Sequence, residues 1–298
     1  MAMDWDKLRI FHMVAKAGSF THAGETLNLS QSAVSRHISS FEEDLGITLF
    51  HRHARGLILT EQGELLFQTS SDIFTKMMAI EGQLSDARDT TDGDLSVTLP
   101  EFLGTSWLGP HIGNFHKKHS EIELTLLLDD RIFNLGLREA DAAVRLYKPE
   151  QSELVQKHLT SISFVTCASK EYLSTHGTPK KLEDLKQHTL IGYPDQALVP
   201  YKNPNSLFEQ AGISVSKNRN MILMNSISTI RQAIRSGAGI GVLPHFMADS
   251  LPDIVTILPD TKITPVDMYF VYPEDRRHSK RIAIFRDFLV DLVGKTKF

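Results

Sequence analysis

Residues 19–45 read SFTHAGETLNLSQSAVSRHISSFEEDL, and the spacing of their apolar side chains decides the fold of the N-terminal region. Val34, Ile38, Phe41 and Leu45 recur every three or four residues, which places them on one face of a helix. Ser30 stands where an N-cap belongs. The opposite face carries Gln31, Ser32, Ser35, Arg36 and Ser39, which are short or forked hydrogen-bonding side chains gathered toward the helix N-terminus. In a major groove glutamine pairs with adenine, arginine with guanine or phosphate, and serine with either. Solvent alone also selects a polar face, so the neighbouring segments must decide. Glu42, Glu43 and Asp44 come late in the helix, where they can point away from phosphates.

Upstream, Phe20, Ala23 and Leu27 share one face of a second helix, with Ser19 as its cap. Asn28-Leu29 then makes a tight turn, since asparagine tolerates the left-handed conformation. Leu8, Phe11 and Ala15, with Trp5 one turn earlier, predict a first helix from about Asp4 to Ala17 that Gly18 ends. Downstream, residues 49–60 read LFHRHARGLILT, two short strands around a turn with Gly56 able to take positive φ. Arg52 and Arg55 fall at or near the tip. A basic hairpin after a helix-turn-helix is a wing, whose cations rest on phosphates or in a minor groove. The alternative is an ordinary surface hairpin.

The whole run of residues 11–66 resembles the N-terminal domain of LysR-type transcriptional regulators nearly position for position. The resemblance is carried by Phe11, Gly18-Ser19-Phe20, Leu27-Asn28, Ser30-Gln31-Ser32-Ala33-Val34-Ser35, Leu45-Gly46, Leu49-Phe50 and Leu59-Thr60-Glu61-Gln62-Gly63. It implies a winged helix-turn-helix that contacts duplex DNA through Gln31, Ser32, Ser35, Arg36, Ser39, Arg52 and Arg55. Two positions depart from the family pattern. Gly24 replaces the usual alanine, at an expected cost of about 1 kcal/mol in helix propensity, and Phe41 replaces the usual leucine.

Thr60 can cap a further helix, with Glu61 suited to its dipole. Leu66, Ile73, Met77, Ile80, Leu84 and Ala87 then follow heptad spacing, interrupted only at Ser70. A seam this narrow needs a partner, either the same helix of a second chain or the helix's own domain. The first choice makes it a dimerisation helix from about Thr60 to Arg88, closed by Asp92-Gly93. A dimer would set two recognition helices about one DNA turn apart.

After residue 92 strands and helices alternate. Expected are a strand at Leu95–Leu99, a helix from about Gly104 to Lys118 and a strand at Ile122–Leu128. A helix containing Leu135 and Leu137 and a strand at Ala142–Val144 follow. This βαβαβ order signals a parallel sheet. A second set comprises a strand at Phe164–Thr166, a segment that begins at Leu190-Ile191, a helix capped by Asn225-Ser226 and a strand at Ile240–Pro244; a last strand at Met268–Tyr272 and a helix through Ile282, Phe285, Phe288 and Leu289 close the chain. Two open α/β subdomains leave a ligand cleft at their strand ends. The resemblance continues through Leu137–Arg145 and Gly237–Pro244. It implies a periplasmic-binding-protein-like effector domain and a tetramer built from two dimers. Cleft candidates are Glu101, Phe102, Thr105, Ser106, Arg145, Tyr201, Asn225 and Ser226. Thr105, Ser106 and the adjoining helix N–H groups could hold an anion, and Arg145 either pairs with a ligand carboxylate, as in relatives, or serves an internal ion pair. Glu101 either repels an anion, welcomes an amine or faces water.

The fold class is therefore α/β: a winged helix-turn-helix over 1–60, a long linker helix over 61–91, and an effector domain of two α/β subdomains over 92–298. The bulk numbers agree with a soluble globular chain: 298 residues, 41% hydrophobic, 23% charged. The net charge of −4 does not advertise a nucleic-acid binder, so the DNA reading rests on where the charges lie. No secretory signal or membrane span is expected. The lone Cys167 fits a reducing cytoplasm; it is either a small buried hydrophobe or an oxidant-sensitive thiol. No nucleophile elbow, zinc-binding helix or phosphate loop occurs, and His111, His116 and His119 lack the company of a metal site. No enzyme, cofactor or metal is therefore expected. A transport-type solute-binding protein and a DNA-bending architectural protein are the competing classes. The expected partners are promoter DNA, further copies of the chain, a small-molecule effector and RNA polymerase.

Overall fold

Asp4, Ser19 and Ser30 cap three successive helices, α1 (Trp5–Ala17), α2 (Phe20–Leu27) and α3 (Gln31–Leu45), each side chain accepting first-turn N–H groups. Gly18, Asn28 and Gly46 end them in the left-handed conformation. These belong to a computed structural model that describes residues 4–53, 56–86, 91–136, 138–215 and 219–298. The chain divides into two compact units, Met1–Leu84 and Ser85–Phe298.

In the first unit Val34, Ile38 and Phe41 of α3 are buried with Leu8, Phe11 and Val14 of α1 and Ala23 of α2. The rings of Phe11 and Phe41 lie 6.2 Å apart, so the phenylalanine at position 41 is part of the core. Gly24 also has a structural reason. A Cβ there would meet the Leu29 carbonyl oxygen at 2.6 Å, so the tight α2–α3 turn excludes the alanine whose helix propensity would be better. Glu42 does more than avoid phosphates. Its Oε1 accepts the N–H groups of Leu49 (2.7 Å) and Phe50 (3.1 Å), which ties α3 to the strand that follows. That strand, β1 (Phe50–His53), pairs antiparallel with β2 (Gly56–Leu59). The hairpin tip, with Arg55, and the Arg52 side chain lie outside the described residues.

Thr60 caps α4 (Glu61–Asp86) by accepting the Gly63 N–H at 3.0 Å. The proposed heptad seam divides. Leu66 and Ile73 pack against the core of their own unit. Ser70 is fully buried there and bonds the His12 ring at 3.0 Å, so the residue that interrupts the seam is a polar anchor to α1. Met77 and Ile80 remain 40% and 56% exposed. Leu84 and Ala87 carry no described side chains. The helix is described to Asp86 and Gly93 opens a strand; the expected helix end near Arg88 lies outside the described residues.

The second unit holds two five-stranded sheets. The first has the order β4-β3-β5-β12-β6, from β3 (Gly93–Leu99), β4 (Ile122–Leu128), β5 (Ala142–Arg145), β6 (Leu154–Ile162) and β12 (Val266–Pro273). The second has the order β11-β7-β10-β8-β9, from β7 (Phe164–Ser169), β8 (Leu190–Gly192), β9 (Met221–Leu223), β10 (Ile240–Pro244) and β11 (Ile254–Thr256). The chain passes between them twice, at Ser163 and between β11 and β12. The βαβ strands pair in parallel, β4-β3-β5 and β10-β8-β9. The strands next to the crossovers, β12 and β7, run antiparallel to their neighbours, so both sheets are mixed and not purely parallel. The helices flanking the sheets include α5 (Ile112–Lys118), α6 (Lys170–His176), α7 (Ile227–Arg235) and α8 (Lys280–Lys295).

Two expectations fail here. The segment with Leu135 is a series of turns, not a helix: Asn134 N–H goes to the Glu139 carboxylate, Glu139 N–H returns to the Asn134 carbonyl, and Leu135 and Ala140 enter a small core with Ala143 and Val271. Leu137 lies outside the described residues. The helix expected from Gly104 begins instead at Glu101 and passes through a π-turn at Gly104–Leu108 and a tight turn at Gly109–His111 before α5. Pro110, which has no N–H to donate, accounts for the irregular geometry.

Glu42→Ala should lower the stability of the first unit by about 2 kcal/mol, because two N–H groups lose a charged acceptor. Trp5 lies in the first unit and the other tryptophan, Trp107, in the second. In a Trp107→Phe background, urea unfolding followed by Trp5 fluorescence reads the loss, and Glu42→Gln should lose less.

Candidate DNA-reading helix and ligand cleft

The buried stripe of α3 fixes which of its residues face out. Gln31, Ser32, Arg36 and Ser39 are exposed and Ser35 is half-buried, as is required of a groove-reading face. His37, absent from the sequence-based set, is also exposed there. Arg36 Nε donates to the Ser32 carbonyl at 3.3 Å, which holds the guanidinium stem along the helix surface. The acidic end of α3 is occupied elsewhere. Glu42 serves β1, and Asp44 pairs with Lys7 of α1. Lys7 Nζ also donates to Ser40 at 2.8 Å. The cation of α1 thus offsets the acidic end of α3, away from its N-terminal polar face.

In the second unit a cavity of about 950 Å³ opens at the carboxyl ends of β3, β4 and β5, facing loops of the second sheet. Of the eight candidates, Arg145 and Tyr201 line it. The other six do not. Phe102 is in the core, its ring 6.4 Å from that of Phe246. Glu101 accepts a hydrogen bond from Ser228 Oγ at 2.8 Å, and Ser106 accepts one from Arg231 at 3.4 Å. Ser228 and Arg231 sit on α7, so both bonds tie the two halves of the unit together. Thr105 Oγ1 donates to the Glu101 carbonyl, Ser226 caps α7, and Asn225 is exposed.

The anion site expected at Thr105 and Ser106 is not formed, because the helix starts earlier. Its first N–H, on Glu101, is taken at 3.3 Å by the Asp130 carboxylate, which follows β4 and lines the cavity. Burial raises the Asp130 pKa, against the lowering effect of that N–H, and the nearby Glu101 and Asp129 raise it further. Tyr201 donates to Tyr193 at 3.4 Å, and burial holds both phenols well above their usual range. Sequence reasoning applied the strand-end rule to β3 and missed Asp129-Asp130 at the end of β4, where the same rule holds.

Arg145 is 6% exposed. Its guanidinium donates to the Phe133 carbonyl at 2.9 Å and to Gln151 at 3.3 Å, and it lies over the Tyr147 ring. Burial depresses its pKa, with Tyr147 acting the other way. No carboxylate among the described residues forms an ion pair with it, so the internal ion pair is not found.

Comparison with known proteins decides the family. The model described as "Bacterial regulatory helix-turn-helix protein, lysR family" matches residues 5–64, and that for the "LysR substrate binding domain" matches residues 88–294. The chain belongs to the LysR family of transcriptional regulators. This LysR-type chain is 31% identical over 304 aligned positions to the HTH-type transcriptional regulator CrgA of Neisseria meningitidis serogroup B, covering 99% of this chain and 98% of that one. The solved structure of CrgA superposes with a TM-score of 0.59 at 30% identity, over 98% of this chain and 100% of that one. Full-length AphB of Vibrio cholerae, a virulence activator, gives 0.64 at 25% identity over 97% and 99%. The fold is shared with CbnR, solved in complex with its target DNA, at a TM-score of 0.64 and 20% identity over 98% and 99%. The LysR-type chain is thus a DNA-binding transcriptional regulator with a ligand-binding domain, not an enzyme. No helix among its described residues is long and apolar enough to cross a membrane.

Cys167 sits in β7 with no exposed surface, and burial pushes its thiol up to about 12. A thiol with that pKa is protonated at neutral pH, and only the thiolate attacks disulfides or peroxides. Folded protein at pH 8 should resist a chromogenic disulfide reagent and react at once in denaturant. Rapid labelling without denaturant would return Cys167 to the oxidant-sensing role.

Proposed function

We propose that α3 enters the major groove of promoter DNA and reads base edges through Gln31, Ser32, Ser35, Arg36 and Ser39. The observation that carries this is the division of α3 into a buried face of Val34, Ile38 and Phe41 and an exposed face of hydrogen-bonding side chains. Arg52 and Arg55 of the hairpin add contacts to phosphates or the minor groove, which position the helix without specifying sequence. The working division is a DNA-binding domain over 1–60, a linker helix over 61–91 and an effector domain over 92–298.

Two such domains act together. Met77 and Ile80 supply exposed apolar surface on α4, one helical turn apart, for the same helix of a second chain. The first half of the seam is spent on the helix's own unit, so the dimer contact lies in its second half. Two dimers form a tetramer, in the cytoplasm, and RNA polymerase is the further partner at the promoter.

A small-molecule effector occupies the cavity between the two halves of the second unit. The Glu101–Ser228 and Ser106–Arg231 bonds are the contacts a change of closure must break or keep. The effector shifts the balance only by its differential affinity for the open and closed forms. Closure then changes how dimers pack and how the DNA bends.

Arg36→Ala should weaken binding to a selected operator by about 10- to 100-fold, the value of one base-reading pair. Binding to unrelated duplex should fall much less, and the oligomer should persist in sedimentation. Loss of the oligomer, or equal loss on both duplexes, would contradict the assignment of this face.

A further inference from the structure

The cavity carries two charges that the protein itself leaves without counter-ions. Arg145 is nearly fully buried and bonds only neutral acceptors. Asp130 is half-buried, and its carboxylate accepts the Glu101 N–H. Among the described residues neither takes part in an ion pair. The other charged groups on the wall are different: Asp129 pairs with Arg131 at 3.1 Å, and Lys148, Glu150, Lys202 and Asp267 are solvent-exposed at the rim.

Sheet geometry keeps the two apart. Arg145 ends β5 and Asp130 follows β4, with β3 between them. Neighbouring strands lie about 4.8 Å apart, so the two backbones are separated by roughly 10 Å. Both side chains border the same space, one at each side of the Leu99–Pro100 strand end. The helix N-terminus at Glu101, which would otherwise welcome an anion, is already occupied by Asp130. The β4 side of the cavity is therefore acidic, and the β5 side is cationic. A charge held in a low-dielectric wall without a partner is costly, and a ligand that brings the opposite charge recovers that cost.

We infer that the effector is a small amphoteric molecule whose oxyanion, most simply a carboxylate, meets Arg145 and whose protonated amine meets Asp130. This rests on the reading of the cavity as the effector site. Asp130 is then the specificity-determining residue, since it distinguishes an amino acid from a plain carboxylic acid of the same length. The two tyrosines beside it, Tyr193 and Tyr201, stay protonated and offer uncharged hydrogen bonding at that end.

Isothermal titration of the full chain with β-alanine, γ-aminobutyrate, δ-aminovalerate and ε-aminocaproate tests this, alongside the alkanoates of equal length from propionate to caproate and the amines from propylamine to hexylamine. At least one amino acid should bind about tenfold or more tighter than the matching alkanoate and the matching amine, the worth of one partly buried charge pair. Asp130→Asn keeps an oxygen to accept the Glu101 N–H, so the fold should stand. It should lower the affinity for that amino acid to the level of the alkanoate and leave alkanoate binding unchanged. Alkanoates or amines that bind as tightly as the amino acids would overturn the amphoteric assignment while leaving the cavity as a ligand site. An Asp130→Asn protein that binds the amino acid undiminished would do the same. No binding by any of the three classes would remove the cavity reading and this inference with it.

Discussion

Packing Val34, Ile38 and Phe41 against Phe11 fixes the rotation of α3 about its own axis, and the whole proposed DNA-reading surface depends on that rotation. A helix repeats every 3.6 residues, so once one stripe is buried the opposite stripe has no freedom in direction. Gln31, Ser32, Arg36 and Ser39 face out because their neighbours face in. Other contacts protect the arrangement. Asn28 and the close approach at Gly24 set the angle of the α2–α3 turn, Glu42 locks α3 to β1, and the buried His12–Ser70 bond joins α1 to the start of α4.

A comparable economy governs the second unit. Ligand sites in open α/β sheets collect outside the strand carboxyl ends where the strand order reverses, because connections leave there to opposite sides and open a crevice. Here β3, β4 and β5 each deliver a different element to one cavity: a strand end running into a helix, a carboxylate and a guanidinium. The helix that starts at Glu101 takes its cap from Asp130 of the neighbouring strand end, which makes the local fold and the local charge one feature. On α7, Ser228 and Arg231 cross to the first half, so the contacts that hold the halves together lie next to the cavity but outside its wall.

Where residue chemistry was local, the sequence was readable. Caps at Ser19, Ser30 and Thr60 and the stripe on α3 are short-range signals, and each element starts where its cap stands. β6 was missed because Leu154–Ile162 neither alternates nor forms an apolar run: it is an edge strand with Lys157 and His158 exposed, held by pairing with β12 more than a hundred positions away. The segment around Leu135 looked helical because one buried leucine carries the same signature in a turn as in a helix. The cavity was half-legible. Arg145 and Tyr201 were named and line it, whereas Asp130, which also lines it, was not named, since its contact with the Glu101 N–H appears only when β4 and β3 are placed side by side. Glu101 and Ser106 were named as ligand groups, yet they bond α7, a contact that no spacing could reveal.

The claim on which the account turns is that α3 reads base edges. Purine interference measures it directly. After selection of a bound site from random duplex, purines are replaced one at a time by analogues in which the ring nitrogen facing the major groove is CH. The account predicts loss of binding at a few purines in each of two half-sites about one helical turn apart. Undiminished binding at every replaced purine, with affinity responding only to phosphate modification, would contradict it.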